Sequence, residues 1–339
     1  MAATIEMICP HQSFRTLRGL ALMLAALFLL PATSLSAQTI DELEAQDLRL
    51  AGIADNILLA NARLCRTRMP VSGLILHSRD QYGDLVSEER FASGDYAIAQ
   101  VLPGSAAAGA GLQRDDAILA INGTAVDSLE PQGATHLREV AFDILADAAM
   151  NGPLSLTIAR GGERFEVALD APSACRALVE VRLGEGARAR TDGRIMQLTY
   201  VYMTLLSDDE VAIAVAHELA HIVLEHRRRK TEAGIDNGSI FRSFGRNQQI
   251  NRAAEIEADR LSVHLLANAG YDPAIAEQFW RSEVGASSSA LSIPSFVYPS
   301  REDRADLIAR EVAMFLPLRR GPSWPGHLLQ LRNRPFSDY

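Results

Sequence analysis

This 339-residue sequence has few cysteines and no net positive charge. There are three cysteines, and the formal net charge of -9 argues against nucleic acid as a partner. After residue 37, no uninterrupted apolar stretch reaches the length needed to span a membrane. Hydrophobic residues nevertheless make up 48% of the chain, which is enough for the cores of two or three domains.

The one long apolar run has the features of an export signal. Arg15 and Arg18 precede "GLALMLAALFLLP", and "TSLSAQ" supplies small residues for cleavage near Ser36 or Ala37. We therefore expect residues 1–37 to be a signal peptide and the mature protein to be periplasmic or secreted, with no stable membrane span. An uncleaved signal that anchors the chain in the membrane is the alternative. No cysteine follows the run closely, which disfavours a lipoprotein.

Cleavage of the signal would remove Cys9 and leave Cys65 and Cys175. In an oxidising compartment, two remaining cysteines predict one disulfide, and the alternative is two unrelated buried thiols. The pair flanks a region rich in strand and turn signals, so a bridge would join the two ends of that region.

The secondary-structure signals change twice along the mature chain. Residues 38–69 begin with apolar residues at helical spacing. Residues 70–172 contain "LILHS", "YAIAQVL", "AILAING" and two alternating runs joined by Gly161 and Gly162, which predict a hairpin. Residues 180–339 are mainly helical, with "GRIMQLT" as a strand. The predicted fold is α+β, with a small β-rich domain before a mainly α-helical domain that contains a small sheet.

Residues 101–126, "VLPGSAAAGAGLQRDDAILAINGTAV", resemble the PDZ domains of bacterial periplasmic proteases. The likeness lies in a Pro-Gly-Ser turn, a short helix that ends at Gly-Leu, an acidic turn, and a strand that ends in Ile-Asn-Gly. It implies that the β-rich domain binds extended polypeptides at a sheet edge, with exposed C-termini as the expected ligands. The alternative is a domain that only packs against its neighbour.

The stretch "AVAHELAHIVLEH" places His217 and His221 about 40° apart on one helix face, with Glu218 one step round from His217. This is the H-E-x-x-H arrangement, in which two histidines bind zinc and the glutamate acts as general base. The alternative is a pair of hydrogen-bonded core histidines. Ser207 and Glu210 form a capping-box signature at the start of the helix, and Arg227–Lys230 are expected to be its solvent-exposed end.

A second helix offers the carboxylate that such a site needs. Glu255 and Asp259 are four residues apart and share a face, whereas Glu257 points roughly 160° away from them. One carboxylate on that face can bind metal, and the other can accept the free N–H of a ligating imidazole. Two solvated acids are the alternative, but the apolar positions of "RLSVHLLA" after Asp259 indicate a buried helix.

These motifs resemble the gluzincin metallopeptidases, and most closely the family that contains HtpX, the CAAX prenyl endopeptidase and BepA. The likeness covers about residues 180–315. It implies one zinc ion per chain bound by His217, His221 and Glu255, with Glu218 as base and Asp259 behind a histidine. The spacing groups these residues, and the family likeness selects Glu255 rather than Glu257 as the ligand.

The sequence departs from that family at Tyr298-Pro299, where the family usually has His-Pro ahead of an arginine, here Arg304. We expect Tyr298 to donate a hydrogen bond to the oxyanion that forms during peptide hydrolysis. An aromatic packing residue is the alternative.

The resemblance and the export signal together predict a periplasmic zinc endopeptidase that cleaves misfolded or unassembled envelope proteins. The alternative is a chaperone-like, peptide-binding quality-control factor whose zinc site is latent or structural.

Overall fold

The structure is a computed structural model that describes residues 33–336 except 83–87, 131–135, 149–151, 185, 187, 236–244, 284, 286–298 and 318. Most of the predicted signal peptide and Tyr298 lie outside the described residues. The chain divides into two units, residues 1–41 and residues 42–339. Helix α1 comprises Thr33–Ala60. No helix within the described part combines the length and apolar character needed to cross a membrane.

The β-rich region is built on one antiparallel sheet with the strand order β2-β3-β4-β6-β7, to which β5 is added by pairing with β4. Its strands are β2 (Leu74–Ser78), β3 (Tyr96–Val101), β4 (Ala117–Ile121), β5 (Thr124–Ala125), β6 (Leu154–Arg160) and β7 (Glu163–Leu169). Helices α2 (Ala106–Gly109) and α3 (Leu137–Ala146) accompany it. Strand β2 is an edge strand.

Alternation along β6 explains how this region forms its own core. Leu154, Leu156 and Ile158 are buried in one apolar cluster together with residues of β3, β4 and α3. The hairpin to β7 turns through Gly161 and Gly162, whose φ angles of 58° and 86° are the positive values that a tight hairpin turn requires.

A second, larger core joins α1 and part of α3 to the helical region, which begins with a three-stranded sheet of order β10-β11-β9. Strand β11 (Ile195–Thr199) pairs parallel with β9 (Leu178–Arg182) and antiparallel with β10 (Ala189–Thr191). The helices are α4 (Tyr200–Leu205), α5 (Asp208–Val223), α6 (His226–Glu232), α7 (Gly245–Asn268), α8 (Ala274–Arg281), α9 (Arg301–Phe315) and α10 (Gly326–Leu329). The predicted α+β fold class is confirmed.

Helix α5 begins as its sequence predicts. Ser207 accepts a hydrogen bond from the backbone N–H of Glu210, and the Glu210 carboxylate accepts from the backbone N–H of Ser207. Its apolar face, including Val215 and Leu219, is fully buried in the same core as Leu261 of α7. The packing of α5 and α7 places the two helices that carry the predicted site side by side.

A short antiparallel pair joins the start and the end of the β-rich region. Strand β1 (Arg68–Pro70) pairs with β8 (Ser173–Cys175), with Arg68 opposite Cys175. Cys65 and Cys175 form a disulfide with their Cα atoms 5.4 Å apart, within the range that disulfides require. The bridge closes a loop between residues 110 apart in the sequence.

Candidate metal centre

Helix α5 presents two imidazoles at one point. His217 and His221 are one turn apart, and their Nε2 atoms lie 3.1 Å from each other. Both side chains are largely buried, with 16% and 13% of their surface exposed. Each histidine therefore directs its Nε2 to a shared, partly accessible point.

Helix α7 adds a carboxylate to the same point. Oε2 of Glu255 lies 3.2 Å from His217 Nε2, and Oε1 lies 3.6 Å from His221 Nε2. Donor atoms that hold zinc at tetrahedral angles, each about 2.0–2.2 Å from the ion, lie roughly 3.3–3.6 Å from one another. The three side chains fit a divalent metal in both chemistry and spacing, and catalytic zinc sites commonly have three protein ligands.

Asp259 lies behind His217. Its Oδ1 is 3.1 Å from His217 Nδ1, so the carboxylate accepts the Nδ1–H of that imidazole and directs Nε2 to the shared point. Arg304 of α9 donates to both oxygens of Asp259 at 2.6 Å, and its guanidinium lies 3.6 Å from the ring centroid of Trp280. Three helices thus fix the orientation of one histidine.

A different group lies behind His221. Nδ1 of His226 is 2.7 Å from His221 Nδ1, and Nε2 of His226 is 3.1 Å from Glu257 Oε2. Arg229 donates to both oxygens of Glu257 and lies over the ring of Phe336. Sequence reasoning missed this group, although a third histidine five residues after His221 was a visible signal.

The prediction that Arg227–Lys230 are an exposed helix end is wrong for Arg229, which is fully buried. Helix α5 ends at Val223, and Glu225 adopts a left-handed conformation with φ 54° before α6 starts at His226. This break turns the chain so that His226 and Arg229 face inward. Both side chains pair with Glu257, which the helical periodicity of α7 placed on the face away from the metal.

Burial and charge set the protonation of the centre. Burial lowers the pKa of His217, but hydrogen bonds with Asp259 and Glu255 outweigh it and raise the value to about 10. For Glu255, burial acts to raise the pKa, but the neighbouring imidazoles of His221 and His217 hold it well below its usual range. The negative charges of Asp259 and Glu255 therefore favour the binding of a cation at the centre.

Glu218 is buried beside this centre, with 7% of its surface exposed. Burial raises its pKa to about 7, His217 acts against that rise, and Glu255 adds to it. Among the residues that the structure describes, no group donates a hydrogen bond to its carboxylate. A carboxylate that titrates near neutral pH and is free to accept a proton suits a general base.

A second group of potential ligands, His264, Glu311 and His327, has the geometry of a hydrogen-bonded network instead. Oε1 of Glu311 lies 3.0 Å from His264 Nε2 and 2.7 Å from His327 Nε2, and Oε2 accepts from Arg260 at 2.7 Å. These are the lengths of N–H to carboxylate hydrogen bonds. A guanidinium on the same carboxylate also disfavours a second cation, so the group joins α7, α9 and α10.

A cavity of about 90 Å³ lies along β2 in the β-rich region. It is lined by apolar residues of β2 and α3, including Leu74, Leu76 and Phe142, and by Asp47 and Asp55 of α1. Burial raises the pKa of Asp55 to about 7. The edge strand that a PDZ domain would use for a peptide therefore borders a preformed apolar space.

Residues 98–138 match the PDZ domain family. The chain is 27% identical over 137 residues to the mitochondrial metalloendopeptidase OMA1 of Arabidopsis thaliana, which is 36% of this chain and 28% of that protein. It is 26% identical over 161 residues to a putative beta-barrel assembly-enhancing protease of Vibrio cholerae serotype O1, which is 39% of this chain and 33% of that protein.

The matched part of the chain thus spans about a third or less of each relative. Both relatives are named as peptidases, and one of them as a metalloendopeptidase. The comparisons support a peptidase that carries a PDZ domain.

Proposed function

We propose that this protein is a zinc-dependent endopeptidase. The observation that carries the proposal is the convergence of His217 Nε2, His221 Nε2 and the Glu255 carboxylate at distances of 3.1 Å, 3.2 Å and 3.6 Å, with the buried Glu218 beside them. The similarity to two peptidases points to the same chemistry.

Zinc, when bound by this set, polarises a peptide carbonyl and lowers the pKa of a water molecule. Glu218 takes a proton from the attacking water and returns it to the leaving amine, a task that its raised pKa of about 7 suits. Asp259 holds His217 in the tautomer that leaves Nε2 free. Tyr298 is proposed as the donor to the developing oxyanion, a role that stays a prediction because the residue lies outside the described part.

Polypeptides are the proposed substrates. The match to the PDZ family covers most of β3, all of β4 and the start of α3, and β2 is the edge strand of the same sheet. An extended segment, such as an exposed C-terminus, can add to that edge while an apolar side chain enters the cavity beside it. The export signal and the Cys65–Cys175 disulfide suggest the periplasm, where misfolded or unassembled envelope proteins are the proposed targets.

Digestion of an unfolded protein by the purified protein tests the proposal. Casein should be cleaved, a chelator should abolish cleavage, and added zinc should restore it. Binding of casein without cleavage in the zinc-loaded protein would contradict the proposal and support a peptide-binding factor with a structural zinc site. Cleavage that survives complete removal of metal would also contradict it.

A further inference from the structure

The two histidines of the centre differ in what holds their second nitrogen. His217 donates to a carboxylate, Asp259, whereas His221 faces another imidazole, His226. His226 is 2% exposed, so it is as enclosed as the residues of the core. The different partner raises the question of what His226 does for the centre.

The backbone is shaped to make this contact. On a continuous helix, His226 would lie about 140° round from His221 and could not reach it. The left-handed Glu225, with φ 54° and ψ 40°, ends α5 and turns the chain back, so that the two ring centroids lie 4.8 Å apart. A residue other than glycine adopts this conformation at a cost, which tertiary contacts must offset.

One placement of protons satisfies the whole group. Nε2 of His221 faces His217 and Glu255, so its proton is on Nδ1 and is donated to His226 Nδ1. The proton of His226 is then on Nε2, where it is donated to Glu257 Oε2 at 3.1 Å. Each nitrogen and oxygen in the chain from His221 to Glu257 has a partner of the matching kind.

Glu257, at the far end of this series of hydrogen bonds, is held in place by further contacts. Arg229 is fully buried and donates to Oε2 of Glu257 at 2.5 Å and to Oε1 at 3.3 Å. Its guanidinium lies 3.8 Å from the ring centroid of Phe336, which is itself fully buried. Glu257 therefore cannot turn away from His226 without leaving a charge unpaired in the interior.

We propose that His226 is a positioning residue that holds His221 in the tautomer and orientation needed to bind metal through Nε2. The inference rests on the proposed function, since it concerns the same metal. His226 touches neither the metal position nor the substrate, and it acts through His221. Loss of such a partner typically lowers metal affinity about 10- to 100-fold.

Competition of the full chain with a zinc chelator tests this role. His226→Ala should bind zinc about 10- to 100-fold more weakly than the wild type. His226→Asn should recover most of that loss, because its Oδ1 can take the acceptor position of Nδ1. His77→Asn is the matched control, since His77 is equally buried but lies in the β-rich region, and its zinc affinity should equal that of the wild type.

The melting temperature of the zinc-free variants separates positioning from packing. If His226→Ala and His77→Asn both melt earlier but bind zinc like the wild type, His226 is a packing residue and the inference is overturned. If His226→Ala does not fold, His226→Leu replaces it: weaker zinc binding by His226→Leu than by His226→Asn supports the inference, and equal zinc affinity of the two variants overturns it. A wild-type protein that binds no zinc would instead overturn the proposed function and, with it, this inference.

Discussion

Arg304 donates two hydrogen bonds of 2.6 Å to the carboxylate of Asp259, and both side chains are buried. This pair links α9 to α7, and through Asp259 it reaches Nδ1 of His217. The orientation of a candidate metal ligand therefore depends on a residue more than 80 positions later in the chain.

The first prediction follows from that pair. Arg304→Met should leave the buried Asp259 carboxylate without its guanidinium and lower the free energy of unfolding by about 3–5 kcal/mol, as measured in urea. Arg281→Met removes an exposed arginine that also pairs with two carboxylates, and it should cost much less. Equal losses in the two variants would contradict the importance of the buried pair.

The second prediction separates two glutamates on α7. Glu255→Ala should lose most of its zinc, because a ligand is removed. Glu257→Ala keeps all three ligands but leaves Arg229 buried without its carboxylate, so its main effect should be a loss of about 3–5 kcal/mol in unfolding free energy. Metal analysis that shows a greater zinc loss in Glu257→Ala would move the ligand to Glu257.

The third prediction concerns Cys65 and Cys175. Protein isolated from an oxidising compartment should have the mass of the disulfide form under non-reducing conditions. Replacing both cysteines with serine should lower the free energy of unfolding by up to about 4–5 kcal/mol, because the bridge closes a long loop. Two free thiols in the isolated wild type would refute the prediction.

The fourth prediction concerns acid stability. Burial, aided by the positive charges of Arg90 and Arg138, lowers the pKa of His77 to about 3, whereas an unfolded chain has the ordinary value near 6.5. Between these values the unfolded state binds one proton more, so the free energy of unfolding should fall by up to about 1.4 kcal/mol per pH unit as the pH drops from 6.5 to 3.

Urea unfolding at pH 5 and pH 7 measures this effect. His77→Asn cannot take up that proton, so its stability should change less between the two pH values than that of the wild type. The same pH dependence in both proteins would assign the effect to other groups.

Local sequence signals predicted the elements that depend on neighbouring residues. The capping box of Ser207 and Glu210 starts α5, and the two glycines at 161 and 162 turn the hairpin, because both signals act within a few residues. The sequence also placed His217 and His221 on one face, and Glu255 and Asp259 on another, since each pair lies within an unbroken helix. Non-local packing then brought the two faces together.

The sequence could not predict what depends on non-local contacts. Strand β9 forms by parallel pairing with β11. Parallel strands are not joined by a hairpin turn, so no turn residues in the sequence indicate this pairing. Helix α5 ends before the left-handed Glu225 without a glycine or proline, so no residue type marked the turn that directs His226 and Arg229 inward. Arg229 can be buried because its charge pairs with the carboxylate of Glu257, which lies 28 residues later in the sequence.

The zinc-dependent peptidase mechanism is tested most directly by the zinc content and casein hydrolysis of the wild type, Glu218→Gln and Asp209→Asn. We expect one zinc per chain in all three proteins and no cleavage of casein by Glu218→Gln. Asp209→Asn, whose carboxylate is exposed on the first turn of α5, should cleave casein normally. The glutamine keeps the ligands and the size of the side chain and removes only the base. Undiminished cleavage by zinc-loaded Glu218→Gln would contradict the role of Glu218 as general base.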